Sequence, residues 1–343
     1  MGAIMSGTVV ETDVAIVGAG PVGLFAVFEC GMLRMRAAVI DALEVVGGQC
    51  AALYPEKPIF DIPAWPRIEG AELIRQLAAQ IAPFKPIMLL GQRVEAFRRL
   101  DDGWLSLSTN GGDTVRARAV IIAAGCGAFG PNRPPLEGIE AYEPHAVHYY
   151  VRDRSIFADR RLVIAGGGDS ALDWALNLSE IAAHVAVVHR REKFRGAPES
   201  VARLHALAES GRVELVVPYQ LVGLEGSGGK LDAVVVESLA GGQRALPADH
   251  LLAFFGLSND LGPIAGWGLG LDKGRITIDP ATCATNIAGV FAIGDVVDYP
   301  GKLKLILQGF SEAAMAAHAI HPLVHPGQAL HFEYSTTSGI PAV

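Results

Sequence analysis

The most regular feature of the chain is a set of short apolar runs that do not alternate with polar residues. Val14-Ala-Ile-Val runs into Gly18, Val120-Ile-Ile-Ala-Ala into Gly125, Leu162-Val-Ile-Ala into Gly166, and Gly289-Val-Phe-Ala-Ile into Gly294. Two more, Ala38-Val-Ile and Val185-Ala-Val-Val, end in the polar residues Asp41 and His189. A strand with one wet face alternates, whereas a short continuous run predicts a parallel strand covered on both faces. The first and third of the glycine-ended runs lead into helix-like patterns. The prediction is an α/β chain built on parallel sheets.

Two of these turns have the spacing of a phosphate cradle. They read Gly18-Ala-Gly20-Pro21-Val-Gly23 and Gly166-Gly167-Gly168-Asp169-Ser170-Ala171, and their first glycines lie 148 residues apart (166 − 18). In such a turn the first glycine permits the tight bend and the second lets backbone N–H groups approach a pyrophosphate. The third small residue lets the next helix pack close to the strand. The helix N-terminus then meets the phosphates with the positive end of its dipole. One such motif is a weak signal. Two, each between a strand-like and a helix-like run, predict two Rossmann-like dinucleotide-binding domains and two nucleotides in one chain.

The residues after each cradle distinguish the cofactors. Asp41 ends the strand after the first cradle, 18 residues past Gly23 (41 − 23), where an acid accepts hydrogen bonds from an adenosine ribose and repels a 2′-phosphate. The matching position after the second cradle carries His189-Arg190-Arg191-Glu-Lys-Phe-Arg195. Cations there favour a 2′-phosphate, hence NADP(H) over NAD(H); the alternative is a solvated basic turn. Three further stretches suit a flavin: the turn Val46-Gly-Gly-Gln49-Cys50, the strand ending at Gly125, and the strand ending in Gly294-Asp295, where a carboxylate can meet a ribityl hydroxyl.

Length and composition agree. A chain of 343 residues suggests about two domains at ~150 residues each, and 50% hydrophobic residues with 40 glycines suit a turn-rich α/β enzyme. No apolar stretch nears the ~18 residues of a membrane span, and Met1-Gly-Ala-Ile-Met-Ser lacks the pattern of a signal peptide. A soluble, cytoplasmic protein is expected. The net charge of −8 argues against nucleic acid, and an acidic partner would need a local basic patch. Cys30, Cys50, Cys126 and Cys283 include no Cys-x-x-Cys pair, so neither a redox dithiol nor a cluster site is expected. His318, His321, His325 and His331 are interrupted by Pro322 and Pro326 and lack a companion carboxylate, so no metal is expected.

With these motifs the chain resembles the two-dinucleotide-binding-domain flavoproteins, and within them the thioredoxin-reductase-like ferredoxin–NADP reductases. The resemblance runs from about Val14 to Ser338. It rests most specifically on Gly47-Gly-Gln-Cys-Ala-Ala-Leu-Tyr54-Pro-Glu-Lys57, the second cradle with Asp173-Trp174, the His189–Arg195 run and Tyr334-Ser-Thr-Thr-Ser338. Thioredoxin reductases carry a redox Cys-x-x-Cys where this chain has Val147-His-Tyr-Tyr-Val-Arg-Asp153, so electrons must pass directly from flavin to an outside acceptor. The resemblance implies FAD contacts by Tyr54, Val94, Phe129 and Thr336. Tyr54 and Tyr334 would cover opposite faces of the isoalloxazine, Tyr334 on a tail that crosses to the partner subunit of a homodimer. A surface-packed loop aromatic at Tyr54 and an ordinary chain end at Tyr334 are the alternatives.

The expected organisation is an FAD domain in two parts, 9–127 and 250–320, with an NADP domain, 128–249, inserted between them. The tail, 321–343, follows a helix near Glu312 to Ile320. A Gly/Pro stretch, Gly125 to Pro135, reads as the outgoing linker, and two thin connections permit a hinge. Gly226-Ser-Gly-Gly-Lys230 reads as a hairpin turn, since no Walker spacing exists there. The expected reaction is hydride exchange between NADPH and FAD with single-electron exchange with ferredoxin or a similar small carrier. Open alternatives are a reductase serving a quinone, a disulfide protein or oxygen, and an NADP-responsive flavoprotein without physiological turnover.

Overall fold

The computed structural model describes residues 7–127, 130–143, 145–258, 260–328, 330 and 339. The chain divides into two compact units, Met1–Phe129 with Asn259–Val343, and Gly130–Ser258.

In the first unit, strand Val9–Val17 lies parallel between Ala37–Asp41 and Thr114–Ile122, and Ile87–Leu90 extends the sheet beyond Ala37–Asp41. The strand Thr114–Ile122 is shared. Its first half pairs antiparallel with Leu105–Thr109, which pairs in turn with Val94–Arg99. Its second half pairs parallel with Val290–Ala292. The chain thus leaves this sheet and re-enters it beside the strand from which it left.

The continuous apolar runs are explained by two cores, one on each face of this sheet. Val14, Ile16, Val39 and Ile121 point into one, with helices Pro21–Met32, Gly70–Ile81 and Ile306–Val324 over it. Ala15, Val17, Ala38, Ile40, Val120 and Ile122 point into the other. Successive side chains of a strand alternate faces, and here neither face is wet. Burying each Val or Ile contributes roughly 1.5–3 kcal/mol before entropy is counted.

In the second unit the sheet order is Val147–His148, His250–Ala253, Arg161–Ala165, His184–Val188, Val213–Val216, all parallel. Helices Asp169–Leu178 and Pro198–Glu209 follow two of these strands. A three-stranded antiparallel sheet, Tyr219–Ser227, Lys230–Ser238 and Gln243–Pro247, packs into the same core through Leu231, Val234, Val236 and Leu246. Its first turn, where Ser227 pairs with Lys230, is the glycine-rich hairpin.

Two boundaries fall elsewhere than the sequence suggested. His250–Ala253 pairs with Leu162–Ala165, so the second unit runs to Ser258 rather than 249. The last helix spans Ile306–Val324 and passes through Pro322 in its final turn, where the missing N–H removes one intrahelical hydrogen bond and only two helical residues follow.

Candidate functional site

The first cradle forms where Val9–Val17 ends. Gly18 adopts φ +112°, and a Cβ there would lie 2.3 Å from the Ala123 carbonyl oxygen. A Cβ on Gly23 would lie 1.9 Å from the Gly18 carbonyl oxygen, so only glycine lets the helix sit this near the strand. Gly20 is the reverse case. Its backbone is extended, and a Cβ would meet nothing within 4 Å among the described residues. Pro21 is the first residue of the helix Pro21–Met32, and no side chain caps that N-terminus. The result is an open, dipole-positive concavity of the kind that takes a pyrophosphate.

Asp41 braces this turn. Its Oδ2 accepts from the Ala19 amide at 2.6 Å and its Oδ1 from the Leu43 amide at 2.8 Å. Burial raises its carboxyl above the ordinary range, and the two amides oppose that rise. Each oxygen keeps a lone pair for a further donor. The Val46–Cys50 turn lies on the same cradle: the Gly47 amide donates to the Ala19 carbonyl at 2.8 Å, and the Cβ position of Gly48 is 3.1 Å from the Gly20 Cα.

Gln49, Cys50, Tyr54, Cys126 and Asp295 come together beside it. Gln49 Nε2 is 3.6 Å from the Cβ position of Gly125, and the Gln49 side chain hydrogen-bonds the Cys126 thiol. The Cys50 Sγ lies 4.0 Å from the Tyr54 hydroxyl. Burial pushes the Cys50 thiol up to about 11 and pushes Tyr54 higher still, and the Asp295 charge adds to both. Tyr54 packs against the core with Lys57 5.8 Å from its ring centroid. Val94 is buried in the second core with Ile40 and Leu89, so its side chain is committed to packing. Phe129, Tyr334 and Thr336 lie outside the described residues.

Asp295 follows Gly294, whose φ of +79° turns the chain out of strand Val290–Ala292. Sequence reasoning found these two residues and missed what holds them. Arg275 donates to the Asp295 main-chain carbonyl. The buried carboxylate of Glu312 accepts from the Gly294 amide at 2.7 Å. The available signal was an acid placed among alanines in Glu312-Ala-Ala-Met-Ala-Ala.

In the second unit, Gly168 is an extended residue before the helix Asp169–Leu178, without a side-chain cap and, among the described residues, with nothing within 4 Å of its Cβ position. The residues after strand His184–Val188 fold back over this cradle. The Arg195 amide donates to the Gly167 carbonyl at 2.7 Å, and the Ala197 amide to Asp169 Oδ1 at 2.9 Å. Asp169 is therefore a staple for the basic loop. Ser170 is exposed in the first turn of the helix.

His189 departs from its neighbours. It is 8% exposed, its ring stacks on Phe194, and a Cβ on Gly167 would strike that ring at 2.2 Å. It forms the floor of the cradle. Burial lowers its pKa, and the charges of Arg195, Arg190 and Arg191 lower it further. Among the described residues its buried Nε2 has no partner, whereas the three arginines are exposed. An open cradle, an imidazole nitrogen without a described partner and three exposed guanidinium groups fit a dinucleotide carrying an extra phosphate. The first cradle, with a carboxylate at the matching place, fits one without it.

All four cysteines are free; Cys30, Cys50 and Cys283 are buried and Cys126 is partly exposed. Among the described residues no group of three His, Cys, Asp or Glu side chains could hold a metal. No described helix is long and apolar enough to cross a membrane.

Residues 12–319 match the family model described as pyridine nucleotide-disulphide oxidoreductase. The chain belongs to that family. It is similar to a ferredoxin–NADP reductase of Granulibacter bethesdensis, 66% identical over 97% of this chain and 95% of the relative. A protein of the same description from Paramagnetospirillum magneticum is 63% identical over 96% and 98%. In fold it resembles the crystal structure of T. acidophilum thioredoxin reductase, with TM-score 0.80 and 24% identity over 91% of this chain and 98% of that one. Such flavoproteins bind FAD and a nicotinamide dinucleotide, and this chain is a flavin-dependent oxidoreductase.

Proposed function

We infer that the protein is an FAD-dependent ferredoxin–NADP(+) reductase that works without a redox dithiol. The observation that carries this is the contrast between two open, uncapped cradles, one answered by Asp41 and the other by His189 with Arg190, Arg191 and Arg195. The relatives named above supply ferredoxin as the electron carrier. FAD supplies, when bound, the exchange between a two-electron hydride donor and a one-electron carrier.

The chain's own residues bind, orient and shield. We assign the flavin dinucleotide to the first unit: Gly18, Gly20, Pro21 and Gly23 for the pyrophosphate, Asp41 for the ribose, Gln49 and Asp295 along the flavin side, and Tyr54 for stacking. Phe129, and Val94 through its main chain since its side chain packs in the core, complete the assigned FAD contacts. The second unit holds NADP(H) through Gly166, Gly167, Gly168, Asp169 and Ser170, with His189 beneath and the three arginines at the 2′-phosphate. The tail beyond the helix that ends at Val324, with Tyr334 and Thr336, covers the flavin of the other subunit in a cytoplasmic homodimer. No proton-transferring side chain is needed for hydride exchange, so none is assigned.

The test is a steady-state assay of the flavin-loaded protein with NADPH, comparing ferredoxin and thioredoxin as acceptors. Ferredoxin-dependent turnover with no thioredoxin-dependent turnover supports the assignment. Preferential reduction of thioredoxin refutes it.

A further inference from the structure

The Gly294–Asp295 turn lies on the first turn of the cradle helix, with the Cβ position of Gly294 3.5 Å from Val22. It is held from the other side by Glu312, which is 1% exposed in the helix Ile306–Val324. Three donors converge on this one carboxylate. The Gly294 amide reaches Oε2 at 2.7 Å, the Tyr299 hydroxyl reaches Oε1 at 2.6 Å, and the Lys302 ammonium also reaches Oε1. Gln308 Nε2 donates to the Tyr299 oxygen at 2.7 Å. The Lys302 side chain is as buried as its partner, at 1% against 2%.

A buried ion pair seldom stabilises a fold more than well-packed apolar residues of similar volume, although losing one partner is costly. Stability is therefore a weak account of this pair. What the carboxylate does and a leucine cannot is accept from the Gly294 amide, one residue before Asp295. With Arg275 on the Asp295 carbonyl, the residue is gripped on both sides of its Cα.

We propose that Glu312 is a positioning residue for flavin binding. It fixes the Gly294 amide and so aims the Asp295 carboxylate, while Lys302 neutralises the charge that this acceptor brings into the core. The proposal rests on the reading of Asp295 as a ribityl ligand.

Two double variants separate positioning from bulk support. Lys302→Met with Glu312→Leu removes both charges and the acceptor; Lys302→Met with Glu312→Gln removes both charges and keeps an acceptor for the Gly294 amide. The measurements are the FAD dissociation constant of the apoprotein, from quenching of flavin fluorescence, and the melting temperature of the same apoprotein. The expected result is FAD binding weakened about tenfold or more in the leucine pair, restored to within about threefold by the glutamine pair, with apoprotein melting similar in the two. Equal FAD affinity in the two pairs overturns the proposal. Should the leucine pair fail to fold, Glu312→Asp, one methylene short of the Gly294 amide, decides in its place: weakened FAD binding supports the proposal and unchanged binding overturns it. Asp295→Ala is the control for the underlying reading. If it binds FAD as the wild type does, the ribityl assignment fails, whatever Glu312 does.

Discussion

Replacing Arg190 and Arg191 by alanine tests the cofactor assignment directly, because the loop that carries them is held by its main chain. The His189 amide donates to the Val216 carbonyl at 3.2 Å, the Tyr219 amide to the His189 carbonyl at 3.0 Å, and the Arg195 amide to the Gly167 carbonyl at 2.7 Å. Phe194 is buried under the same loop. Trimming an arginine therefore removes a charge without releasing the backbone. A buried charge-assisted hydrogen bond contributes about 1.5–3 kcal/mol, but both side chains are exposed, and exposed pairs fall to about 1 kcal/mol or less. At about 1 kcal/mol each variant should raise the KM for NADPH about fivefold. The double variant should reach up to about 25-fold, and less if the two adjacent groups share one phosphate. The KM for NADH should hardly move. Raising ionic strength from about 0.1 M to about 1 M shrinks the screening length from about 10 Å to about 3 Å, so NADPH binding to the wild type should weaken with salt more steeply than NADH binding, which lacks the 2′-phosphate. His189 supplies an independent readout. Its pKa is held down first by burial and then by the three arginines, so each alanine should let it rise, as an NMR titration of the imidazole would report. A wild type that prefers NADH, or a double variant with an unchanged NADPH-to-NADH ratio, refutes the reasoning.

Replacing Cys30, Cys50, Cys126 and Cys283 together by serine or alanine should leave ferredoxin-linked turnover largely intact in the folded, flavin-loaded fraction, and a thiol reagent should label Cys126 first in the wild type. Cys50 and Cys283 are pushed to about 11 and about 12 by burial, so lost turnover in a folded, yellow variant would mean that a thiol carries electrons after all. Gly23→Ala should destabilise the first unit by about 1–3 kcal/mol, since its Cβ would lie 1.9 Å from the Gly18 carbonyl oxygen. Gly20→Ala, with nothing within 4 Å of its Cβ, should melt like the wild type as apoprotein yet bind FAD more weakly; unaltered FAD binding counts against the cradle. The facing nitrogens of His148 and His250 lie 3.0 Å apart, and burial followed by the His250 charge lowers His148 from 6.5 to about 4. The unfolded chain binds the proton first as pH falls, so stability should be lost between about pH 6.5 and pH 4. His148→Gln should flatten that slope in pH-dependent denaturant melts, and an identical slope would show that the pair does not titrate there.

The sheet strands and both cradles were legible because each rests on local rules: unbroken apolar runs for strands covered on two faces, and glycine where a Cβ has no room, as at Gly18 and Gly23, or would stand in the way of a phosphate, as at Gly20. What stayed hidden depends on partners distant in sequence. Nothing near Glu312 announces that its carboxylate meets Gly294, eighteen residues earlier, and nothing near Arg275 announces the Asp295 carbonyl. The positions after the two second strands are a subtler case. Sequence reasoning assigned both to the nucleotides, but Asp41 already bonds the Ala19 and Leu43 amides, and His189 already fills the space beneath Gly167. Each residue shapes its cradle first and can meet a ligand second. That order has a measurable consequence for Asp41→Asn. An amide side chain can accept from one of the two backbone N–H groups but must turn its own NH2 toward the other, leaving two donors face to face. If Asp41 only touched a ribose, the substitution would weaken FAD binding and leave the apoprotein unchanged. Because it also closes the turn, the apoprotein itself should melt at a lower temperature, by an amount matching roughly 1–3 kcal/mol for an unsatisfied buried donor. An apoprotein that melts with the wild type would reduce Asp41 to a ligand contact alone.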